Sequence, residues 1–341
     1  MRTKPTDFGY HLSRYFTQHL PGRLGLSSNT IRSYRDAFAA YLEFCQDVDH
    51  LAPERLTLVT LTPDRVAAFL AWIEEHRGCS LATRNQRLAA VRAFVRYLET
   101  AAPEFLHQWQ QLLAMRRKRQ PKPAIDYLTL AALKRLLAVP DRATRTGRRH
   151  LVLLSVLYDT AARVQELADA RAQDLRLESP ATLQLTGKGQ KTRIVPLMSP
   201  TTALLQQYLT EASLDDPAYG PHPLFPNRSG RKMTRAGIAY LVKKYADQAR
   251  KADPTGMPAV VSPHVLRHSK AMHLLQSGVD LVYIRDLLGH VSITTTEVYA
   301  RADSEMKRRA LEAAYPTEAA TTLPPWQADT ELLAWLKSLG H

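Results

Sequence analysis

The sequence predicts a mainly α-helical protein with one small β-sheet, arranged as two domains. Three observations predict it. Apolar residues recur every three or four positions through most of the 341 residues, the period of one helix face. That period breaks clearly at ATLQLTGKGQKTRIVPL, residues 181–197, where two runs rich in β-branched residues flank a Gly-Lys-Gly turn and read as a hairpin. The stretch MRRKRQPKP at 115–123 carries five basic residues and two prolines, and reads as a linker. A chain of this length also suits two domains at about 150 residues each.

The first domain is expected over 1–115, all helical. Ile31, Tyr34, Phe38, Tyr41 and Cys45 share one face, with Ser27, Ser28 and Asn29 as cap candidates before it. Val66, Phe69, Leu70 and Ile73 form a second stripe opened by Thr62-Pro63-Asp64, and Leu88, Val91, Phe94, Val95 and Leu98 a third. These stripes are expected to be core. Arg32, Arg35, Arg84, Arg87, Arg92 and Arg96 are placed on the opposite, exposed sides. Charge of nearly one sign there suits phosphate contact, against the plainer alternative of a solvated surface.

Residues 116–124 are expected to form a basic hinge. Pro121 and Pro123 disfavour helix and impose extension. Arg117 and Lys118 are its candidate contacts to backbone phosphate. The second domain, 125–315, opens with LTLAALKRLLAVP, a short helix stopping at Pro140, and RRHLVLLSVLYDTAA, a more apolar and buried one. Helices are expected at 199–212, 234–251, 264–276 and 280–289, with a short one including Tyr299 and another over 303–314. The tail, 316–341, ends in ELLAWLKSL, where Leu332, Leu333, Trp335, Leu336 and Leu339 make an apolar face that must dock in cis or on a neighbour.

Charge and cysteine content narrow the class. Lys+Arg number 46 against 32 Asp+Glu, a net charge of +14. That excess argues for a polyanionic partner rather than for any fold. The two cysteines, Cys45 and Cys79, are too few for a disulfide scaffold or a four-cysteine zinc site, so a reducing compartment is expected. MRTKPTDFGYHL has no apolar core of a secretory signal, and LVLLSVLYDTAA from Leu151 is short of a membrane span. The expectation is a cytoplasmic protein with no membrane partner.

The chemistry is concentrated in the second domain. Arg163 stands in TAARVQEL, Lys188 in TGKGQK, His264 and Arg267 in SPHVLRH, His290 in LLGH, and Tyr299 nine positions after His290. Arginine forks bind phosphate oxygens bidentately and stay charged. A tyrosine hydroxyl can attack phosphorus and form a covalent intermediate. Lysine can protonate a leaving alkoxide, and histidine can hold phosphate or take a proton. Each residue alone has a plainer reading: Arg163 as the ion-pair partner of Glu166, Lys188 as a turn lysine, Tyr299 as core. His264 and His268, four apart, also have the spacing of a helical zinc pair. No third ligand lies nearby, and Arg267 between them would repel a cation. A phosphate loop of the GxxxxGK type is absent from the sequence.

Taken together, residues 1–315 resemble the tyrosine recombinase, or phage integrase, family. Its pattern is an arginine box, a β-hairpin lysine, His-x-x-Arg, Gly-His and a tyrosine nine residues later. SPHVLRH and LLGHVSITTTEVY carry the most specific part of the match. NTIRSYRDAF and ATRNQRLAAVRAF match the N-terminal region only in general shape.

The resemblance implies a C-shaped clamp, a helical core-binding domain opposite a mixed α/β catalytic domain. It implies that Arg163 and Arg267 clamp the scissile phosphate and that Lys188, with Lys191 as rival, protonates the leaving 5′ oxygen. His264 would assist proton transfer, His290 would hydrogen-bond the phosphate, Glu166 would support Arg163, and Tyr299 would become linked to the 3′ phosphate. No cofactor, metal or ATP is implied. The partners would be double-stranded DNA with an inverted-repeat core site and other copies, as a tetramer, or related recombinases. The setting would be a bacterial nucleoid.

One departure stands out: Thr160-Ala161-Ala162-Arg163 replaces the family's usual Thr-Gly before the box, removing the residue freest to adopt positive φ. The expected role is integration, excision or transposition of a mobile element. Chromosome dimer resolution, a catalytically silent DNA-binding regulator and a type IB topoisomerase remain alternatives.

Overall fold

Four helices of the first domain begin on a hydroxyl. The backbone N–H groups of Gly9, Thr30, Arg65 and Thr83 donate to Thr6, Ser27, Thr62 and Ser80 at 3.2, 3.3, 3.2 and 3.3 Å, satisfying donors with no partner inside the helix. A computed structural model of the chain describes residues 5–120, 125–254, 256–302 and 336–337. The chain divides into two compact units, Met1–Pro123 and Ala124–His341.

In the first unit, α1 (Asp7–Arg14) runs into a π-helical stretch, Tyr15–Arg23, followed by α2 (Ser28–Asp47), α3 (Pro63–Glu75), α4 (Leu81–Ala101) and α5 (Leu106–Ala114). The stripes read from sequence form the core. Phe38, Tyr41, Cys45, Val66, Phe69, Leu70, Ile73, Leu88, Val91, Phe94, Val95 and Leu98 are all buried in one cluster, while Ile31 and Tyr34 pack at its edge. Trp109 joins it, its indole N–H donating to the Ala102 carbonyl at 2.8 Å.

The arginines divide into two groups. Arg32 and Arg35 are exposed, Arg35 beside Asp36. Arg84 is not on an exposed face: it is buried, 3.3 Å from the Glu74 carboxylate of α3. The reason is its phase, since position 84 continues the Leu88, Val91, Val95 and Leu98 stripe toward α3. Arg87 is half-buried and donates to the Ser33 carbonyl of α2 at 3.1 Å. The basic segment after α5 is also pinned rather than wholly solvated. Asn85 and Lys118 exchange hydrogen bonds at 2.9 and 3.1 Å, and the Lys118 ammonium reaches Glu74 at 2.6 Å. Arg117 beside it is exposed. Pro121 and Pro123 lie outside the described residues.

The second unit contains α6 (Leu130–Ala138), α7 (Arg145–Asp159), α8 (Val164–Asp169), the strands β1 (Leu175–Arg176), β2 (Thr182–Thr186) and β3 (Thr192–Pro196), then α9 (Ser199–Ala212), α10 (Arg235–Ala252), α11 (Pro263–Gln276), α12 (Leu281–Leu288) and α13 (Glu297–Ala302). The four helices expected at 199–212, 234–251, 264–276 and 280–289 begin and end within one residue of those bounds as α9 to α12, while α8 was not expected. Helix α7 is buried on most sides, with Leu151–Leu157 inside. The hairpin is antiparallel, with Leu183 opposite Val195 and Leu185 opposite Arg193. Sequence reading missed β1, whose two residues are too few to show a period of two. Among the described residues no helix is long and apolar enough to cross a membrane. The expected helix at 303–314 and the tail, save 336–337, lie outside the described residues.

Candidate active site

Helix α12 ends on Gly289 in the left-handed region, at φ +61°. The N–H groups of Gly289 and His290 turn back to the Asp286 and Arg285 carbonyls, both at 3.0 Å. This closure leaves the carbonyls of residues 287, 288 and 289 without a helical partner. Each receives an arginine. Arg193 Nε donates to Leu287 at 2.9 Å, Arg267 Nη2 to Leu288 at 2.6 Å, and Arg163 Nη2 to Gly289 at 3.2 Å. The negative end of the helix dipole further favours cations there.

Glu166 ties two of these arginines together. Its buried carboxylate accepts from Arg163 Nη1 at 2.8 Å, from the Arg163 backbone N–H at 2.8 Å, and from both terminal nitrogens of Arg193 at 3.0 and 2.7 Å. Burial pushes this carboxyl toward protonation, but the Arg193 and Arg163 contacts win and hold it down at about 2. It is therefore ionised at neutral pH. Arg267 is buried and donates its other terminal nitrogen to the Ala161 carbonyl at 2.7 Å. Burial and the Arg163 charge lower it to about 10, so it still carries its proton at neutral pH. Three guanidiniums against one carboxylate leave a local positive excess shaped to receive an anion.

The hairpin tip is brought to this cradle by Gly187. A Cβ there would lie 3.0 Å from Glu166 Oε1 and 3.8 Å from Arg163 Nη1. The backbone of Lys188, one residue on, is thus set beside the arginines; its side chain lies outside the described residues. Lys191 is exposed on the far side of the turn.

The remaining residues come from α11 to α13. His290 is half-buried, with Nδ1 3.0 Å from the hydroxyl of buried Thr296. Burial and the charges of Arg267, Arg163 and Arg193 lower its pKa to about 4, so the ring is neutral at pH 7. His264, in the first turn of α11, is lowered in the same direction by burial, Arg267 and Arg163. Tyr299 is 1% exposed and packs with Ala161, Met272, Ile284 and Leu288. Burial raises its pKa, against the opposing pull of Arg267 and Arg163. Its hydroxyl lies 2.8 Å from Nδ1 of His268.

The structure thus brings together Arg163, Glu166, Arg267, His264, His290 and Tyr299, with the backbone of Lys188 adjoining. Sequence reading missed Arg193, Thr296 and the contact of His268. Arg193 had a signal: it alternates with buried Val195 on the inward side of β3, and an arginine in that phase needs a buried acid. The sequence shows His268 only at zinc-pair spacing from His264; its imidazole is hydrogen-bonded to Tyr299 instead. Nothing in the spacing marks Thr296.

The match to known proteins accords with this geometry. The phage integrase family matches residues 126–306, and the phage integrase N-terminal SAM-like domain matches 14–101. The chain belongs to the phage integrase family. It is a tyrosine recombinase, one of the enzymes that cleave and rejoin DNA strands. A putative integrase/recombinase, y4rC of Sinorhizobium fredii, is 35% identical over 99% of this chain and 100% of its own length. Tyrosine recombinase XerD of Listeria innocua is 34% identical over 81% of this chain and 88% of its own. The fold is similar to that of XerH site-specific recombinase bound to palindromic difH substrate, with a TM-score of 0.67 at 24% identity over 83% of this chain and 78% of that one.

Proposed function

We propose that this tyrosine recombinase integrates, excises or transposes a mobile element by site-specific strand exchange, working as a tetramer on inverted-repeat core sites. The convergence of Arg163, Arg267 and His290 beside Tyr299 carries the chemical part of this reading. Arg163 and Arg267 stabilise charge on the non-bridging oxygens of the scissile phosphate, where fixed donors act most strongly. Neutral His290 donates a hydrogen bond to the same group, with Thr296 orienting the ring. The Tyr299 oxygen attacks phosphorus, the bond to the 5′ oxygen breaks, and a 3′-phosphotyrosine forms. Lys188 gives the leaving oxygen its proton. Glu166, with Arg193, holds Arg163 in place. Ester energy kept in the phosphotyrosine allows rejoining without ATP.

The first unit is assigned to DNA binding, through exposed Arg32, Arg35 and Arg117, with Arg87 and Lys118 contributing through their remaining donors. Arg84 is assigned to structure instead. The mobile-element role is favoured by y4rC, similar along this whole chain, and by the appended tail after Tyr299. The second reading is chromosome dimer resolution.

Covalent capture tests all of this. Wild type and Tyr299→Phe are mixed with fragmented host DNA, denatured, and the protein-linked DNA is sequenced. The expected result is one short, partly palindromic sequence at element ends, with wild type only. A single chromosomal locus would favour dimer resolution, scattered sites a topoisomerase. Recovery from neither protein would favour a silent binder, and recovery with Tyr299→Phe would sink the nucleophile assignment.

A further inference from the structure

We infer that His268, not His264, takes the proton from Tyr299 during strand cleavage. The inference rests on the proposed function, with Tyr299 as nucleophile. Among the described residues, the Tyr299 hydroxyl is held by His268, at 2.8 Å from Nδ1, with ring centroids 5.6 Å apart. His264 lies one turn earlier on α11, its ring 6.4 Å from that of His268, within range of the Arg267 and Arg163 charges. Geometry therefore separates the two histidines: His268 is hydrogen-bonded to the nucleophile, while His264 feels the charges of Arg267 and Arg163.

The step balances in protons. As the bond from Tyr299 Oη to phosphorus forms and the bond to the 5′ oxygen breaks, the phenolic proton passes to His268 Nδ1. The ammonium of Lys188 supplies the proton that the 5′ oxygen takes. Rejoining reverses both transfers. Accepting at Nδ1 requires a neutral imidazole with its proton on Nε2.

The surroundings supply one. Burial, then His264 and Arg267, lower the basicity of His268, so it is uncharged at neutral pH. The other titratable groups facing it are Tyr299 on α13 and His290 beyond α12. On α7, Asp159 is engaged with Lys270 instead. Burial also raises the tyrosine, so its proton stays until the new bond has begun to form. A bound phosphodiester brings negative charge beside Arg267 and so restores basicity to His268 at the moment of attack.

The test uses full-length protein and a duplex of the captured sequence with a bridging sulfur in place of the 5′ oxygen. Sulfur leaves without a proton, so the assay isolates the tyrosine side of the reaction. Covalent adduct formation is timed across pH for wild type, His268→Asn, His268→Gln and His264→Asn, with folding checked by thermal unfolding and affinity by gel shift.

We expect the wild-type rate to rise with pH below neutrality. Both His268 variants should bind DNA normally, form adduct about 100-fold more slowly, and lose that rise. His264→Asn should keep it. Adduct formation by the His268 variants at the wild-type rate overturns the inference, as does slower formation with the rise retained. Faster formation would also overturn it, because His268 would then be a latch on the nucleophile. A wild type that forms no adduct at all overturns the proposed function itself.

Discussion

Ala161 adopts φ +49° with its methyl wholly buried beside Tyr299, while its carbonyl holds Arg267. The left-handed conformation costs an alanine about 1 kcal/mol. Glycine would relieve that, but it forfeits about 0.8 kcal/mol of buried methyl and further backbone entropy. We therefore expect Ala161→Gly to change stability by under about 1 kcal/mol, whereas the β-branched Ala161→Val should cost more than about 2 kcal/mol and slow cleavage. Chemical denaturation of the two variants checks the order. Glu166 is a sharper case, since its side chain is 3% exposed and holds two arginines. Removing one partner of a buried charge network costs roughly 3 kcal/mol or more. Glu166→Ala should lose that much stability and nearly all adduct formation; a variant of wild-type stability and rate would refute its role. The sequence itself flagged position 161, because alanine stood where positive φ was expected. It did not show that the same carbonyl would be the seat of Arg267, a contact across 106 residues.

At the scale of elements, the hairpin and the C-terminal end of α12 converge on Glu166 and the arginines. Gly187 is the point of closest approach, with room for a Cβ only at 3.0 Å from a carboxylate that Arg163 and Arg193 fix in place. Gly187→Ala must then displace the tip that carries Lys188. We expect at least a tenfold loss of cleavage with DNA affinity unchanged, measured by adduct formation and gel shift; normal cleavage would mean the tip is not positioned here. Helix phase explains which element-level readings succeeded. The α3 and α4 stripes were legible because every member was apolar. Arg84 shares the α4 stripe but is charged, so composition suggested exposure while its phase dictated burial against Glu74. Arg193 was hidden by the same conflict on β3.

For the whole molecule, charge sets two behaviours. A net charge of +14 predicts DNA affinity that falls steeply with salt. Each phosphate contact removed should lower the slope of log affinity against log salt by about 0.9. Arg32→Ala and Arg35→Ala should each do so with stability unchanged, while Arg84→Ala should destabilise the protein and leave the slope alone. Titration gives the second behaviour. Burial above all lowers His150 and His290 to about 4 from 6.5, so below pH 6.5 the unfolded chain binds more protons than the native one. Stability from these groups is present above pH 6.5 and is lost as pH falls toward 4. Glu166, held at about 2 against 4.5 unfolded, adds a further loss from pH 4.5 down to about 2. The thermal midpoint should therefore drop from pH 6.5 to 4, and His290→Asn should flatten part of that drop.

Local pattern in the chain is enough to specify the helices, the hairpin and the reactive residue types. Helical period, capping hydroxyls and glycines act over a few neighbouring positions and can be read there. The motif order from Arg163 to Tyr299 named the chemistry for the same reason: each motif is local. Which groups touch is set by the packed fold. It set three arginines on the successive carbonyls of residues 287, 288 and 289, placed Arg193 on Glu166, and gave the Tyr299 hydroxyl to His268. Those contacts join residues 21 to 126 positions apart, and packing rather than local pattern brings such residues together.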